Sequence, residues 1–344
     1  MTFGILGSGS WGTALAKILT DNGQTINWWN RSESAIELFL SRHHNPHYLQ
    51  SARFDTNKLK LTSDVEKVIQ DSDIVVIAIP SAYAHDAFSK LDKKIFQGKK
   101  IVSAIKGILP QQNLLLNDYL KDNFDVPLSD YFAVLGPCHA EEVAAEKLSY
   151  LTFTGIDEDC TKEIAAYFKT PYINTVENKD IYGVQYAAVL KNIYAVGAGM
   201  AHGLDYGDNF LSVFIANTAD EMAGFLRKAG IINAEVGYID HDQKEKQKHT
   251  NYAASVYLGD LLVTCYSLFS RNRTFGNMVG KGYSVKAAQL EMSMVAEGFN
   301  ASKCMHILNE KIMADMPIAE TVYKILWQNL SAAKGFKEIE TTLI

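Results

Sequence analysis

The first half of the chain alternates short runs of β-branched and apolar residues with amphipathic stretches of helical period. Runs of this kind predict strands buried on both faces, and each run here ends in small residues, Gly or Pro. The runs are TFGIL, TINWW, IVVIAIP, KKIVSAIKG and YFAVLGP. Because strands that alternate with helices form right-handed βαβ units, we predict a doubly wound, Rossmann-like parallel sheet, which YLTFTG and YINTVEN extend.

After about residue 180 the pattern changes to long segments that are rich in small residues and helical in period. These segments are DIYGVQYAAVLKNIYAVGAGMAHGL, DNFLSVFIANTADEMAGFLRKAG, AAQLEMSMVAEGF and MPIAETVYKILWQNL. We therefore predict an α/β domain over residues 1–180 followed by an all-α domain over residues 181–344.

Length, net charge and cysteine spacing indicate how many domains the protein has and which partners and sites to expect. A length of 344 residues favours two domains, since single cores rarely grow beyond ~250–300 residues. A net charge of −6 argues against a nucleic-acid or anionic-membrane partner, although a local cationic pocket for a small anion remains compatible with it. The four cysteines show no metal-like spacing, so we expect no metal site and reduced thiols in a cytoplasmic protein. We also expect no signal peptide and no membrane insertion, because no basic leader or long apolar segment is present.

The stretch GILGSGSWG places Gly7, Gly9 and Gly12 in G-x-G-x-x-G spacing, directly after the first predicted strand. In such a turn the first glycine permits the tight bend, and the second lets the backbone approach a pyrophosphate. The third lets the next helix pack closely, and the N-terminus of that helix offers free N–H groups to the anion. Since strand, turn, helix and second strand occur in order, we favour a dinucleotide-binding turn over one without a ligand.

The end of the second predicted strand, TINWWNR, bears on the choice of dinucleotide. An acidic residue at this place binds the ribose 2′-hydroxyl of NAD. This chain has Asn30 and Arg31 there instead. Arg31 is either a solvated surface residue or a partner for a 2′-phosphate. We therefore predict NAD or NADP as cofactor, with NADP at least tolerated.

Further segments place reactive groups at the ends of predicted elements. Lys106 follows the strand KKIVSAI, and GPCHAEEV (136–143) follows the next strand and opens a helix. Lys191 lies in a helix of small and apolar residues, where it either extends to a surface or is buried with a chemical task. SRNRTFG (270–276) sets two arginines beside small polar side chains, which suits an anion.

These motifs together resemble those of the bacterial-type NAD(P)-dependent glycerol-3-phosphate dehydrogenases. The resemblance covers residues 1–230 and 255–330 and rests on segments in the family's order. The segments are GSGSWGTALA, NPHYL, IPSAY, KG, GPCHAEEV, VLKNIYAVGAGM, GDLLVTC, SRNRTFG and VAEGF. It implies an NAD(P)-binding first domain and a helical substrate and catalytic domain. It also implies reversible reduction of dihydroxyacetone phosphate to sn-glycerol 3-phosphate for phospholipid synthesis, by a cytoplasmic enzyme that we expect to be a homodimer.

The resemblance further implies roles for individual residues. The catalytic residues would be Lys191 as proton donor and acceptor, Asp260 as a carboxylate close to it, and Lys106. The substrate-binding residues would be Lys106, Gly136, Cys138, Lys191, Asp260, Ser270, Arg271 and Asn272. The cofactor-binding residues would be Gly7, Gly9, Ser10, Trp11, Gly12, Arg31, Lys106, Ala140, Arg271, Val295 and Glu297. Ser270, Arg271 and Asn272 would hold the substrate phosphate, with Arg271 also reaching the cofactor.

Three features depart from the family pattern. Cys138 stands where the family usually has Ser or Thr, and a thiol is the weaker donor. The family usually has a basic residue after the position of Asn209, whereas this chain continues with FLSVF. The segment before GDLL is longer than usual and contains the charged stretch of residues 238–252, for which a surface insertion is favoured over an active-site cover or a subunit contact.

Two other functions remain open at this point. One is a dehydrogenase of the same two-domain plan that acts on a hydroxyacid or a ketopantoate-like substrate. The phosphate-suited SRN stretch and the pair Lys191 and Asn192 argue against it. The other is a cofactor-binding redox sensor without catalysis, which Cys138 and the altered region after Asn209 suggest. The joint presence of Lys106, Lys191, Asp260 and Arg271 argues against that function.

Overall fold

The computed structural model describes residues 1–231, 256–292 and 294–344, so the charged segment 238–252 lies outside the described residues. The chain separates into two compact units. The sheet unit comprises residues 1–105 and 114–181, and the helical unit comprises residues 106–113 and 182–344. Lys106 thus belongs to the helical unit, although the residues on both sides of segment 106–113 in the sequence belong to the sheet unit. The functional division into domains 1–180 and 181–344 stays a prediction.

The sheet unit is built on eight strands in the order β3-β2-β1-β4-β5-β6-β7-β8. The strands are β1 Phe3–Leu6, β2 Ile26–Trp29, β3 Leu59–Thr62, β4 Ile74–Ile77, β5 Lys100–Ser103, β6 Tyr131–Leu135, β7 Ser149–Thr154 and β8 Ile173–Asn178. Neighbouring strands are parallel except β6 and β7, which are antiparallel. The predicted doubly wound sheet is confirmed, and YLTFTG and YINTVEN are its last two strands. Strand β3 was not predicted, because only Leu59 of this edge strand is buried.

Helices flank the strands along the chain in this unit. They are α1 Ser10–Asp21, α2 Glu33–Arg42, α3 Val65–Gln70, α4 Ser81–Phe88, α5 Leu116–Phe124, α6 Ala140–Ala144 and α7 Glu158–Ala166. Strands β1 and β4 are buried along their whole length, which explains their uninterrupted apolar sequences. Strand β1 pairs with β2 on one side and β4 on the other, so the strand order reverses beside it. In sheets of this kind, ligands bind outside the carboxyl ends of the strands at such a point.

The helical unit contains the remaining helices. They are α8 Ile181–Gly203, α9 Asp208–Lys228, α10 Leu258–Tyr266, α11 Arg271–Gly280, α12 Val285–Glu291, α13 Glu297–Ile312, α14 Pro317–Trp327 and α15 Ala332–Glu340. The predicted helical second half is confirmed for the residues that the structure describes. The segment AAQLEMSMVAEGF is not one helix as its pattern predicts, because the backbone is extended at Met292 and Ala296. None of the helices in the described ranges has the length and apolar content needed to cross a membrane.

Helix α8 forms the centre of the helical unit and is buried around nearly its whole circumference from residue 183 to residue 201. Glycines let α11 cross it in direct backbone contact. A Cβ atom on Gly276 of α11 would lie 1.9 Å from the carbonyl oxygen of Val196, and one on Gly199 of α8 would lie 2.1 Å from that of Arg273. Real Cβ atoms do not approach a backbone oxygen this closely, so both positions require glycine. The close crossing packs α11, and with it SRNRTFG, directly against the helix that contains Lys191.

Candidate active site

The glycine-rich turn joins β1 to α1 in the sheet unit, and two of its three glycines are required by the fold itself. Gly7 has a φ of +116°, and a Cβ atom there would lie 2.6 Å from the carbonyl oxygen of Ala78. A Cβ atom on Gly12 would lie 2.2 Å from the carbonyl oxygen of Gly7. These contacts agree with the expected roles of the first and third glycine in the tight turn and the close helix packing.

Gly9 differs from the other two, because the described protein atoms leave room for a side chain. Its φ is −72° and a Cβ atom would have no atom within 4 Å. The missing side chain instead leaves the backbone open to a ligand. Gly9 also caps α1, whose first turn therefore presents backbone N–H groups. This arrangement fits the pyrophosphate of a dinucleotide.

The other predicted cofactor residues of the sheet unit lie at element ends. Ser10 and Trp11 begin α1 and are half-buried, and Arg31 is exposed just after β2. The buried Asn30 accepts a hydrogen bond at its Oδ1 from the backbone N–H of Ser32 at 3.2 Å. The end of β2 therefore offers an amide and a guanidinium and no carboxylate.

The segment after β6 supplies the remaining predicted site residues of this unit. Gly136 has a φ of +131°, and a Cβ atom there would lie 2.8 Å from the carbonyl oxygen of Tyr150. Cys138 is 4% exposed, and Ala140 is the first residue of α6. Gly136 is thus required by the backbone of the turn, and a role of Gly136 or Cys138 toward substrate stays a prediction.

Lys191 and Asp260 form an ion pair inside the helical unit, with their side chains 3% and 2% exposed. Lys191 comes from the middle of α8 and Asp260 from the first turn of α10. Of the two possibilities left open by the sequence, burial with a partner is the one observed. Burying a lysine is costly unless its charge is paired, so this pair holds the ammonium and the carboxylate in place together.

The surroundings of Lys191 adjust its proton affinity. Burial, opposed by the attraction of Asp260 and supported by the positive charge of Lys106, lowers the pKa of Lys191 to about 8. An ordinary lysine has a pKa near ~10.4 and stays protonated at neutral pH. Lys191 can therefore either donate or accept a proton close to physiological pH, as a general acid and base must.

A chain of amide hydrogen bonds connects the elements around this pair. Asn192 of α8 donates from Nδ2 to the carbonyl oxygen of Lys106 at 2.7 Å. Asn272 of α11 donates from Nδ2 to Oδ1 of Asn192 at 2.9 Å, and its own Oδ1 accepts from the backbone N–H of Gly298 at 2.9 Å. Both amides are buried. They fix the segment of Lys106 and the starts of α11 and α13 relative to α8.

The predicted anion-binding stretch opens α11. Ser270 is buried and caps the helix, its Oγ accepting from the backbone N–H of Arg273 at 3.3 Å. Arg271 is exposed at the first helical position. Val295 is half-buried just before α13, and Glu297 is the first residue of that helix. The structure thus brings Lys106, Lys191, Asp260 and the start of α11 together in one unit.

Asn192 was not among the predicted site residues. The sequence carried a signal for it, since an amide beside Lys191 in an otherwise apolar helix needs buried partners. Asn209, by contrast, is exposed on the first turn of α9.

Comparison with known proteins bears on both units. The model of the "NAD-dependent glycerol-3-phosphate dehydrogenase N-terminus" matches residues 2–161, and that of the C-terminus of the same family matches residues 180–337. The chain belongs to this family. It is 32% identical over 337 residues to a glycerol-3-phosphate dehydrogenase [NAD(P)+] of Agathobacter rectalis, covering 98% of this chain and 94% of the relative.

Two further similarities agree with this family membership. The Streptococcus sanguinis glycerol-3-phosphate dehydrogenase [NAD(P)+] is 30% identical over 336 residues, which cover 97% of this chain and 94% of that protein. The crystal structure of glycerol-3-phosphate dehydrogenase from Coxiella burnetii is similar with a TM-score of 0.86 and 25% identity, covering 98% of each chain. The resemblance inferred from the motifs is confirmed, and this member of the glycerol-3-phosphate dehydrogenase family is an NAD(P)-type oxidoreductase.

Proposed function

We propose that this protein reduces dihydroxyacetone phosphate to sn-glycerol 3-phosphate with NADH or NADPH, and that it catalyses the reverse reaction. The observation that carries the proposal is the buried Lys191, paired with Asp260 and given a pKa of about 8, in a chain of this family. Family membership supports the substrate, since the relatives are named glycerol-3-phosphate dehydrogenases. The product supplies the backbone of glycerophospholipids.

The reaction adds a hydride to C2 of the ketone and a proton to its oxygen. The nicotinamide cofactor supplies the hydride when it is bound. Lys191 as ammonium polarises the carbonyl and donates its proton to the oxygen, which becomes the hydroxyl of glycerol 3-phosphate. In the reverse direction, the neutral amine of Lys191 removes that proton. Asp260 orients Lys191, and the charge of Lys106 keeps Lys191 from binding its proton too tightly.

The substrate phosphate is proposed to bind at the start of α11. Arg271 offers a guanidinium, and the first turn of the helix offers backbone N–H groups and the positive end of the helix dipole. No acidic side chain lies in that first turn. The amide of Asn272 already makes two hydrogen bonds within the protein, so its proposed contact would use the second hydrogen of Nδ2. Gly136 and Cys138 are proposed as further substrate contacts.

The cofactor is proposed to bind at the glycine-rich turn. Gly9 and the first turn of α1, with Ser10 and Trp11, would receive the pyrophosphate. Arg31 would contact the adenosine ribose or its 2′-phosphate, which makes NADP acceptable. The remaining proposed cofactor contacts are Lys106, Ala140, Arg271, Val295 and Glu297. If Arg31→Ala leaves the ratio of NADPH to NADH affinity unchanged, Arg31 has no part in this choice.

We expect a cytoplasmic homodimer without stable membrane insertion and without a nucleic-acid partner. The four cysteines, all of which lie in the described ranges, form no disulfide, which is compatible with a reducing compartment. The net charge of −6 disfavours polyanionic partners. Light scattering coupled to gel filtration measures the subunit number, and a monomer at all concentrations would contradict the dimer.

The test is oxidation of NADH and NADPH with dihydroxyacetone phosphate, beside a panel of 2-keto acids. Turnover with the ketose phosphate supports the proposal, turnover with a keto acid alone contradicts it, and cofactor binding without any turnover favours a sensor. Lys191→Met should retain cofactor binding and lose most of kcat. Because that change leaves Asp260 buried without its partner, the double variant K191M/D260N is measured beside it. Near-normal kcat in the double variant would exclude Lys191 as the proton donor.

A further inference from the structure

Two buried side chains of the sheet unit hold the carbonyl groups of the glycine-rich turn. The indole Nε1 of Trp28, on β2, donates to the carbonyl oxygen of Gly7 at 2.9 Å. The amide Nδ2 of Asn45 donates to the carbonyl oxygen of Ser8 at 2.9 Å. Neither residue belongs to the predicted site, although Asn45 opens the NPHYL motif.

The side-chain amide of Asn45 uses all of its hydrogen-bonding capacity within the protein. Its Nδ2 donates a second hydrogen bond to Oγ1 of Thr13, in α1, at 2.8 Å. Its Oδ1 accepts from the backbone N–H groups of His47 and Tyr48 at 3.0 and 3.2 Å. The side chain is 1% exposed. It therefore connects three pieces of chain, namely the turn, the first helix and the loop after α2.

Trp28 is buried in an aromatic cluster. It is 0% exposed, and its ring contacts Phe39 edge-on at a centroid distance of 5.3 Å and Phe54 at 5.7 Å. A buried indole N–H requires an acceptor, and the carbonyl oxygen of Gly7 is that acceptor. The position of this carbonyl is thus fixed by an aromatic cluster outside the turn.

Fixing these carbonyls also fixes the N–H groups of the turn. A trans peptide is planar, and its N–H points opposite to its C=O. The carbonyl of Gly7 shares a plane with the N–H of Ser8, and the carbonyl of Ser8 shares a plane with the N–H of Gly9. Trp28 and Asn45 therefore set the directions of two backbone N–H groups at the place where Gly9 leaves the backbone open.

We propose that Trp28 and Asn45 are positioning residues for cofactor binding, which orient the peptide planes of residues 7–9 so that the N–H groups of Ser8 and Gly9 face the pyrophosphate of NAD(P). The inference rests on the proposed function, because it takes that turn as the cofactor site. Neither residue touches the cofactor. Their contribution is preorganisation, since a turn that is already ordered loses less entropy when the anion binds.

The chain offers matched controls for both residues. Trp29, the next residue of β2, donates from its Nε1 to the carbonyl oxygen of Ser63 at 3.0 Å, away from the turn. Asn27 is also buried, and its Nδ2 donates to the carbonyl oxygen of Asp71 at 2.9 Å and to Oγ of Ser72 at 3.0 Å. Trp29→Phe removes an indole-to-carbonyl hydrogen bond, as Trp28→Phe does. Asn27→Ala removes two donated hydrogen bonds, whereas Asn45→Ala removes two donated and two accepted ones.

The experiment compares Trp28→Phe with Trp29→Phe and Asn45→Ala with Asn27→Ala. Calorimetric titration gives the Kd of NADH and of NADPH, and thermal unfolding without cofactor gives the stability of each variant. We expect Trp28→Phe and Asn45→Ala to raise both Kd values about five- to tenfold, the size of one lost hydrogen bond. Trp29→Phe and Asn27→Ala should keep both Kd values within about twofold of those of the unchanged protein, although each control also loses a hydrogen bond and some thermal stability.

The KM of dihydroxyacetone phosphate at saturating cofactor should be unchanged in Trp28→Phe. Equal Kd values in each variant and its control would overturn the positioning role, even if all four variants are less stable. Failure of the unchanged protein to bind NADH or NADPH would instead contradict the proposed function. If Asn45→Ala does not fold, the conservative Trp28→Phe variant still decides the question.

Discussion

Lys191 and Asp260, 69 residues apart in sequence, are joined in a buried ion pair between α8 and α10. Neither charge would be stable there without the other, because removing one partner of a buried ion pair costs about 3–5 kcal/mol. Burial and Lys106 weaken proton binding by the amine, and Asp260 strengthens it. The balance of these opposing effects sets the pH at which Lys191 changes its charge.

The first prediction concerns the pH dependence of the two reaction directions. In the proposed mechanism, reduction needs the ammonium form of Lys191 and oxidation needs the amine. With a pKa of about 8 for Lys191, kcat for reduction should fall about tenfold per pH unit above that value. The kcat for oxidation of sn-glycerol 3-phosphate should rise with pH up to about 8 and then level off. Steady-state rates at saturating substrates measure both; parallel profiles in the two directions would contradict a single acid–base group.

The second prediction concerns Asp260→Asn. The carboxylate raises the pKa of Lys191, so replacing it with an amide should lower that pKa further. The fall in the reductive kcat should therefore begin at a lower pH than in the unchanged protein. Asp220→Asn, an exposed change on α9, should leave the profile in place. An unmoved profile in Asp260→Asn, with cofactor binding intact, would show that Asp260 does not act through Lys191.

Much of the sheet unit could be predicted because its patterns are local. Gly7 and Gly12 are required by contacts within one strand–turn–helix unit, and the apolar runs of β1 and β4 identify buried strands directly. The edge strand β3 was missed because it buries only Leu59 and so lacks such a run. The extended backbone between α12 and α13 was not predicted. The start of α13 is fixed by a hydrogen bond from the backbone N–H of Gly298 to Oδ1 of Asn272, which is distant in sequence.

The ion pair of Lys191 and Asp260, which we propose to be catalytic, was harder to infer from the residues alone. A helix that is buried all round has no polar face, so periodicity could not say whether Lys191 extends outward or stays inside. Its pairing with Asp260 depends on the packing of α10 against the rest of the helical unit. The family resemblance implied both roles, while the hydrogen-bond partners of Asn192 and Asn45 are visible only in the tertiary structure.

The third prediction concerns Glu221, which caps α14 from a neighbouring helix. Its carboxylate, on α9, accepts from the backbone N–H groups of Ile318 at 2.7 Å and Ala319 at 2.9 Å. Burial raises the pKa of Glu221 from an ordinary 4.5 to about 7, although these N–H groups lower it. Between these values the folded state holds a proton that the unfolded state has lost, so the contribution of Glu221 to stability falls as pH rises.

Glu221→Gln removes this titration and should remove that part of the pH dependence. The difference in unfolding free energy between the unchanged protein and Glu221→Gln should shrink from about pH 4.5 to about pH 7, by an amount on the order of 3 kcal/mol at ~1.36 kcal/mol per pKa unit. Urea denaturation at several pH values measures the difference. Glu310→Gln, exposed on α13, should show no such trend. A constant difference for Glu221→Gln would mean that the group titrates alike in both states.

The fourth prediction concerns the crossing of α8 and α11. A Cβ atom on Gly276 would lie 1.9 Å from the carbonyl oxygen of Val196, so Gly276→Ala must push the two backbones apart. Because α11 begins with the proposed phosphate-binding Arg271, this displacement should raise the KM of dihydroxyacetone phosphate about tenfold or more. It should also lower the free energy of unfolding by about 1–3 kcal/mol, as expected for overpacking.

Gly224→Ala separates these effects from the general consequences of replacing a helical glycine. Gly224 lies inside α9, and a Cβ atom there would meet nothing within 4 Å. Alanine should therefore stabilise the protein by about 0.5–1 kcal/mol through helix propensity, with KM unchanged. Urea denaturation and steady-state kinetics on both variants provide the comparison. If Gly276→Ala loses stability but keeps the KM of the unchanged protein, the crossing supports the fold without positioning the phosphate site. Only a rise in KM confined to Gly276→Ala shows that the close approach of α8 and α11 serves substrate binding.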